Sequence, residues 1–303
     1  LDSLQTSFPF GFETLEREVR AGGGPVAAAC AIGVARACRD DLGEATIAVA
    51  ASAELVALVD RCLPRLSSRV DSDIAWLNNA MALLLGDLAL TAALRTTPAA
   101  HARFAREIGA AIQRIAEGEM VDAEDRFDVE RTVERCGTAL DARAGTFMSL
   151  AARLGALAAG MAGELDSWAR FGRELGVAYQ ISEEIRELTL GDEPTRKRPG
   201  SDLRAGIYTL PVVIALHADD ELRDELGGPL GGRSVPSVVA RIEHTGALTE
   251  ALTEVRRHSQ SALDAVRPAS QDAEGLPTTL AAFPMARVDA LVAGLKTEVA
   301  APR

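Results

Sequence analysis

Lysine is nearly missing from this chain: only Lys197 and Lys296 occur in 303 residues, and arginine carries the rest of the positive charge. With a formal net charge of −12, no basic stripe forms, which excludes a nucleic-acid footprint because phosphate backbones are bound through clustered cations. Aromatic residues are equally scarce, at 4%. Strands draw on aromatic and β-branched side chains, so a chain built from Ala, Leu, Arg and Glu favours helix nearly throughout. Cysteine is limited to Cys30, Cys38, Cys62 and Cys136, with no CxxC spacing, so the four read as small buried hydrophobes in a reduced, cytoplasmic protein. No apolar run reaches bilayer length and no basic-then-apolar leader opens the sequence, so neither a membrane span nor a secretory signal is expected.

What is present is helical periodicity, at 48% hydrophobic and 25% charged residues. An N-terminal arm, 1–11, precedes a charged helix from Phe12 to Arg20 that stops at Gly22-Gly23-Gly24-Pro25. Helices are then expected at Val26–Arg39, Glu44–Leu63 and Ile74–Leu94, the second ended by Pro64. Further helices follow at Ala99–Glu119, Asp122–Arg143, Ala144–Gly163 and Asp166–Leu190, the first two with Glu and Arg on an outer face. Thr209 before Pro211 starts another, and a Gly/Pro-rich linker, Gly227–Pro236, leads to two or three shorter amphipathic helices. About a dozen helices without a strand make an all-α protein, most economically a single large helical bundle spanning 1–303, with binding sites between facing helices.

The chemistry concentrates between Gly176 and Leu216. Glu183 and Glu187 stand one helical turn apart with Glu184 beside them, so three carboxylates can face one small volume, an arrangement suited to Mg²⁺ with phosphate oxygens. A solvated acidic face with Arg186 interleaved is the simpler reading of those residues alone. Lys197 follows on a Gly/Pro-punctuated loop, then Asp202. Asp87, between Gly86 and a run of leucines, is expected to be buried or to face a groove.

Gln180, Glu183-Glu184-Ile185-Arg186-Glu187, Lys197, Asp202-Leu203 and Thr209-Leu210-Pro211 together resemble, in order and spacing, the second aspartate-rich motif region of the trans-isoprenyl diphosphate synthases, the polyprenyl synthetase family. Glu54, Gly86-Asp87, Gly118-Glu119, Leu154-Gly155-Ala156 and Thr245-Gly246-Ala247 extend the resemblance along the chain. It implies an isoprenoid-synthase-type bundle with a central cavity, pairing of chains through helices including the one from Ile74 onward, and an allylic prenyl diphosphate as ligand. It further implies Mg²⁺ at Glu183, Glu184 and Glu187, with Lys197, Arg143, Gln180 and Asp202 contacting substrate. The family reaction ionises an allylic diphosphate between two acidic helices and lets isopentenyl diphosphate attack, so its catalysis is largely electrostatic.

Departures from the family pattern are as informative. Where the first DDxxD belongs stands Pro64-Arg65-Leu66-Ser67-Ser68, and the Gly22–Pro25 stretch carries no basic residue for isopentenyl diphosphate. The second motif has Glu for Asp throughout, which moves each carboxylate by about 1.5 Å against Mg²⁺'s octahedral demand. Asp71, Asp73 and Asp87 are the acids available as replacement ligands. Three functions are compatible with this pattern. One is a reduced-activity or non-catalytic partner subunit of an active synthase, as a homodimer or heterodimer. The others are a metal-dependent enzyme using only an allylic diphosphate, terpene-synthase-like or an atypical prenyltransferase, and a non-catalytic prenyl-binding protein.

Overall fold

The computed structural model describes residues 25–39, 42–62, 73–96, 102–189, 200–230, 234–266 and 275–299. Among them are α1 (Val26–Cys38), α2 (Glu44–Cys62), α3 (Asp73–Thr96), α4 (Ala102–Glu124) and α5 (Val133–Leu140). A π-helical turn, Asp141–Gly145, joins α5 to α6 (Thr146–Ala158), and α7 (Leu165–Thr189) follows. The remainder comprises α8 (Ser201–Arg204), α9 (Leu210–Ala218), α10 (Asp220–Leu226), α11 (Val235–His244), α12 (Ala247–Val266) and α13 (Leu276–Val299). No strand occurs among the described residues, as the composition implies.

Helix α7 is the axis of the fold, packed against α6, α12, α13, α9 and the π turn. Its buried positions, among them Trp168, Phe171, Leu175, Ala178, Ile181, Ile185 and Leu188, recur every three or four residues and form one continuous stripe. The N-terminal part of that stripe joins a cluster with Leu58, Ile108 and Leu154, and its C-terminal part joins a second with Tyr208, Val213 and Val255. At about 1.5–3 kcal/mol for each fully buried large apolar side chain, these two clusters are the main stabilising term of the fold. Helix α9 is apolar on every side, and Leu210 through Leu216 are all buried.

Two glycines let α7 meet its neighbours at backbone distance. A Cβ on Gly172 would lie 2.3 Å from the Met148 carbonyl oxygen, and one on Gly176 would lie 2.1 Å from that of Ala144. Gly160, at φ +84°, ends α6: its N–H bonds the Leu157 carbonyl while Met161 N–H bonds that of Ala156.

Boundaries differ from expectation: α6 ends at Ala158 rather than Gly163, and three other places depart as well. Instead of breaking near residue 120, α4 continues to Glu124, and residues 125–132 make the turn. That turn interlocks with a second one: Phe127, at φ 59°, donates its N–H to the Gly206 carbonyl at 2.8 Å, and its ring occupies the space beside Gly206 that a side chain there would need. In the second place, α11 begins within the presumed linker, at Val235, with Pro236 in its first turn. Third, α12 and α13, at 20 and 24 residues, are long rather than short. The N-terminal arm, the helix expected at Phe12–Arg20 and Pro64 to Ser68 lie outside the described residues.

Exposure corrects two further expectations. Asp87 is on the outside of α3, not buried or in a groove, because α3 packs on α2 through Leu85, Ala89, Ala92 and Ala93 on the opposite side. Conversely, the charged residues around the α4–α5 turn are not all on an outer face: Asp122, Asp125 and Arg131 are buried. Cys30 and Cys136 are buried thiols, and burial pushes each up to about 12, in keeping with inert core residues.

Candidate functional site

On α7 the three glutamates diverge. Glu184 points inward and is buried; its carboxylate accepts the Leu210 N–H at 3.2 Å and the Gln180 amide at 3.4 Å. Leu210 is the first residue of α9, whose own N-cap, Thr209, makes no side-chain cap bond. A carboxylate 26 positions earlier therefore caps α9, where the helix N-terminus favours negative charge. Glu54 does the same for α1, accepting the Ala28 N–H at 2.9 Å.

Burial nevertheless dominates at Glu184, raising its carboxyl from 4.5 to about 7 against the opposing pull of Arg143, the Leu210 N–H and Gln180. Between these values the folded chain holds a proton that the unfolded chain has released, so stability falls as pH rises from about 4.5 to 7. The Glu184→Gln variant keeps an acceptor for Leu210 and removes the charge. Its unfolding free energy should lose this slope and exceed that of the parent by about 3 kcal/mol at pH 8, measured by urea denaturation across the pH range.

Glu183 faces the other way. Its Oε1 accepts from Arg287 Nε of α13 at 2.6 Å and from Arg186 at 3.1 Å. Glu187, one turn on, is partly buried and also engaged. Behind Glu184 runs a chain of alternating charge. Arg143, aimed by the π turn, bonds Glu119 at 3.0 Å and lies 2.8 Å from Asp122. Arg131 then bridges Asp122, Asp125 and the Tyr208 carbonyl, and Arg135 closes on Asp125.

This geometry does not suit the Mg²⁺ expected from the sequence. One carboxylate is turned into the core with its charge disfavoured, and another is already neutralised by two guanidiniums. Among the described residues no three acidic, His or Cys side chains gather at metal-holding distance. Of the expected substrate contacts, Gln180 and Arg143 are brought to the buried side beside Glu184. Asp202 lies in α8, where its backbone carbonyl accepts the Ile207 N–H. Lys197 and Asp71 lie outside the described residues, and Asp73 is placed only as the first residue of α3.

The residues that sequence reasoning missed are Arg287 and the buried Asp122–Asp125–Arg131 group. The spacing of Phe283 and Arg287, one turn apart on a helix, was the available signal for the first. The second carried none, because its charges alternate as they do on a solvated surface.

Residues 70–242, more than half of the chain, match the polyprenyl synthetase profile. The chain belongs to the polyprenyl synthetase family. The match begins just beyond the Pro64–Ser68 segment. Among the chain's relatives is the nonaprenyl diphosphate synthase of Mycobacterium tuberculosis, 28% identical over 160 residues, covering 51% of this chain and 48% of that protein. Another is heptaprenyl diphosphate synthase component 2 of Bacillus subtilis, 28% identical over 147 residues, covering 46% and 40%. The chain thus spans about half the length of these curated relatives. A geranylgeranyl pyrophosphate synthase from Corynebacterium glutamicum, solved with calcium and isoprenyl diphosphate, superposes with a TM-score of 0.77 at 28% identity, covering 94% of this chain and 91% of that one. The all-α isoprenyl synthase fold is therefore shared along nearly the whole chain.

Among the described residues no helix is long and apolar enough to cross a membrane.

Proposed function

We propose that this polyprenyl synthetase has lost normal chain elongation and serves isoprenoid synthesis as a reduced-activity or non-catalytic partner subunit of an active synthase. The observation that carries the reading is the state of α7, where Glu184 is spent on capping α9 and Glu183 on two arginines. The sequence adds that no carboxylate remains at Pro64 to Ser68. Electrostatic clamping of a leaving diphosphate contributes several kcal/mol per group, so two compromised clusters suppress turnover by orders of magnitude. Pairing is supported by α3, where Leu83, Leu84 and Leu94 stand 49%, 61% and 40% exposed on the side away from α2. One relative carries a "component 2" name, which fits a two-chain enzyme. The reading takes the chain as a single domain, because α7 contributes to both apolar clusters.

A second reading, an enzyme acting on an allylic diphosphate alone, is favoured by Arg143, which keeps a cation beside Glu184 on α7. One experiment separates the two. Purified protein is assayed with geranyl, farnesyl and geranylgeranyl diphosphates, with and without isopentenyl diphosphate, alone and with an intact synthase from the same source. The expected result is no product from the protein alone and a stable complex with the synthase by native mass spectrometry. Elongation by the isolated chain would overturn the proposal. Diphosphate release without isopentenyl diphosphate, abolished in Glu183→Gln, would establish the second reading instead.

A further inference from the structure

Helices α7 and α13 meet through two matched pairs, each one turn apart. The rings of Tyr179 and Phe283 stack at 6.1 Å with a 9° interplanar angle, and one turn further along both helices Glu183 meets Arg287. The Arg287 guanidinium carbon lies 5.8 Å from the Tyr179 centroid and 5.5 Å from that of Phe283, so it rests against both rings while its Nε holds Glu183. The two partners are 18% and 17% exposed, shielded enough for the pair to resist screening by salt. Val288, the next residue, is fully buried in the second apolar cluster and anchors this part of α13. The charged groups beside Glu183 include Arg186 on its own helix and, inward, Glu184, whose carboxylate faces α9.

We infer that Arg287 is a resident cation of the acidic helix: α13 closes over α7 and places a guanidinium on Glu183, opposing inner-sphere binding of a divalent metal. This deepens the proposed function and rests on reading α7 as the acidic wall of an isoprenyl diphosphate site. A divalent ion on Glu183 sets a second cation against the Arg287 guanidinium on the same carboxylate, and desolvating it against that charge weakens its binding. Metal binding at Glu183 is therefore opposed by Arg287, which the stacked rings hold in place. The contact accounts for the poor fit of this helix to Mg²⁺ and makes α13 an autoinhibitory strap.

The test uses Mn²⁺ as the probe, with free ion counted by electron paramagnetic resonance on the full chain, its Arg287→Gln variant and the Arg287→Gln/Glu183→Gln double variant. Far-UV circular dichroism verifies folding. Arg287→Gln should bind Mn²⁺ about tenfold more tightly than the parent or better, and the double variant should lose the gain. If Arg287→Gln does not fold, Phe283→Ala, which removes one stacking face and leaves both charges, should show a smaller gain in the same direction. Equal Mn²⁺ binding by parent and variant, or no Glu183-dependent site in any variant, would overturn the inference. Neither result bears on whether the isolated parent elongates prenyl chains, so failure here is distinct from failure of the functional proposal.

Discussion

Arg131→Met should destabilise the protein by about 3–5 kcal/mol, the usual cost of removing one partner from a buried ion pair. Arg131 is 3% exposed, and its partners Asp122 and Asp125 are 9% and 4% exposed. One of its NH groups holds Asp122 and the other donates to the Tyr208 carbonyl at 3.1 Å. Its Nε lies 3.2 Å from Asp125 as an ion-pair contact without hydrogen-bond alignment. Met fills much of the same volume, so lost packing is a minor part of the effect. The cost comes from two buried carboxylates left with Arg143 and Arg135 as counterions, and from a peptide carbonyl left without its donor.

That origin gives the prediction its internal check. If uncompensated charge is the cause, adding Asp122→Asn and Asp125→Asn to Arg131→Met should recover part of the loss. Urea unfolding of the parent, single and triple variants measures this. A triple variant less stable than the single one would show that the arginine acts through packing. The turn at 125–132 carries the consequence onward, because Phe127 bonds Gly206 just ahead of Tyr208 and α9.

Most of the helical order could be read from the sequence because helix formation depends on local composition and period, and α7 and α12 repeat their apolar positions with almost no interruption. The fate of each glutamate could not. Glu183, Glu184 and Glu187 are equivalent by spacing, yet a rotation of 100° per residue is enough to send Glu184 into the core while Glu183 faces α13. Their partners, Leu210 and Arg287, lie 26 and 104 positions away, and no local pattern encodes those distances. Charge alternation misled at Asp122, Asp125 and Arg131 for the same reason: a buried network and a solvated face have the same local sequence, and only the covering elements distinguish them. Glu54 and Glu184 show a further limit, since each caps a helix that begins far from it in sequence. The start of α9 at Thr209-Leu210-Pro211 was legible, but the side chain that satisfies it was not.

Gly176→Ala should cost about 2–4 kcal/mol, although alanine is the better helix former by about 1 kcal/mol. The added methyl would lie 2.1 Å from the Ala144 carbonyl oxygen and 2.8 Å from the Met148 Cβ. Neither obstacle is a flexible side chain, so relief requires α7 to move away from the π turn as a rigid unit, and the close contact at Gly172 one turn earlier resists this. Gly137→Ala is the control. It lies within α5 with nothing inside 4 Å of the added methyl, so it should stabilise by about 0.5–1 kcal/mol through propensity and the unfolded chain alone. Opposite signs for the two substitutions in thermal and urea unfolding would locate the effect at the helix crossing. The same crossing shields Glu184, since Arg143 in the π turn and Gln180 on α7 are among the groups around its carboxyl. Widening it admits water and weakens the burial that raises the carboxyl to about 7, so Gly176→Ala should also flatten the fall in stability between about pH 4.5 and 7. A variant destabilised equally at every pH would show instead that the crossing and the Glu184 site are independent.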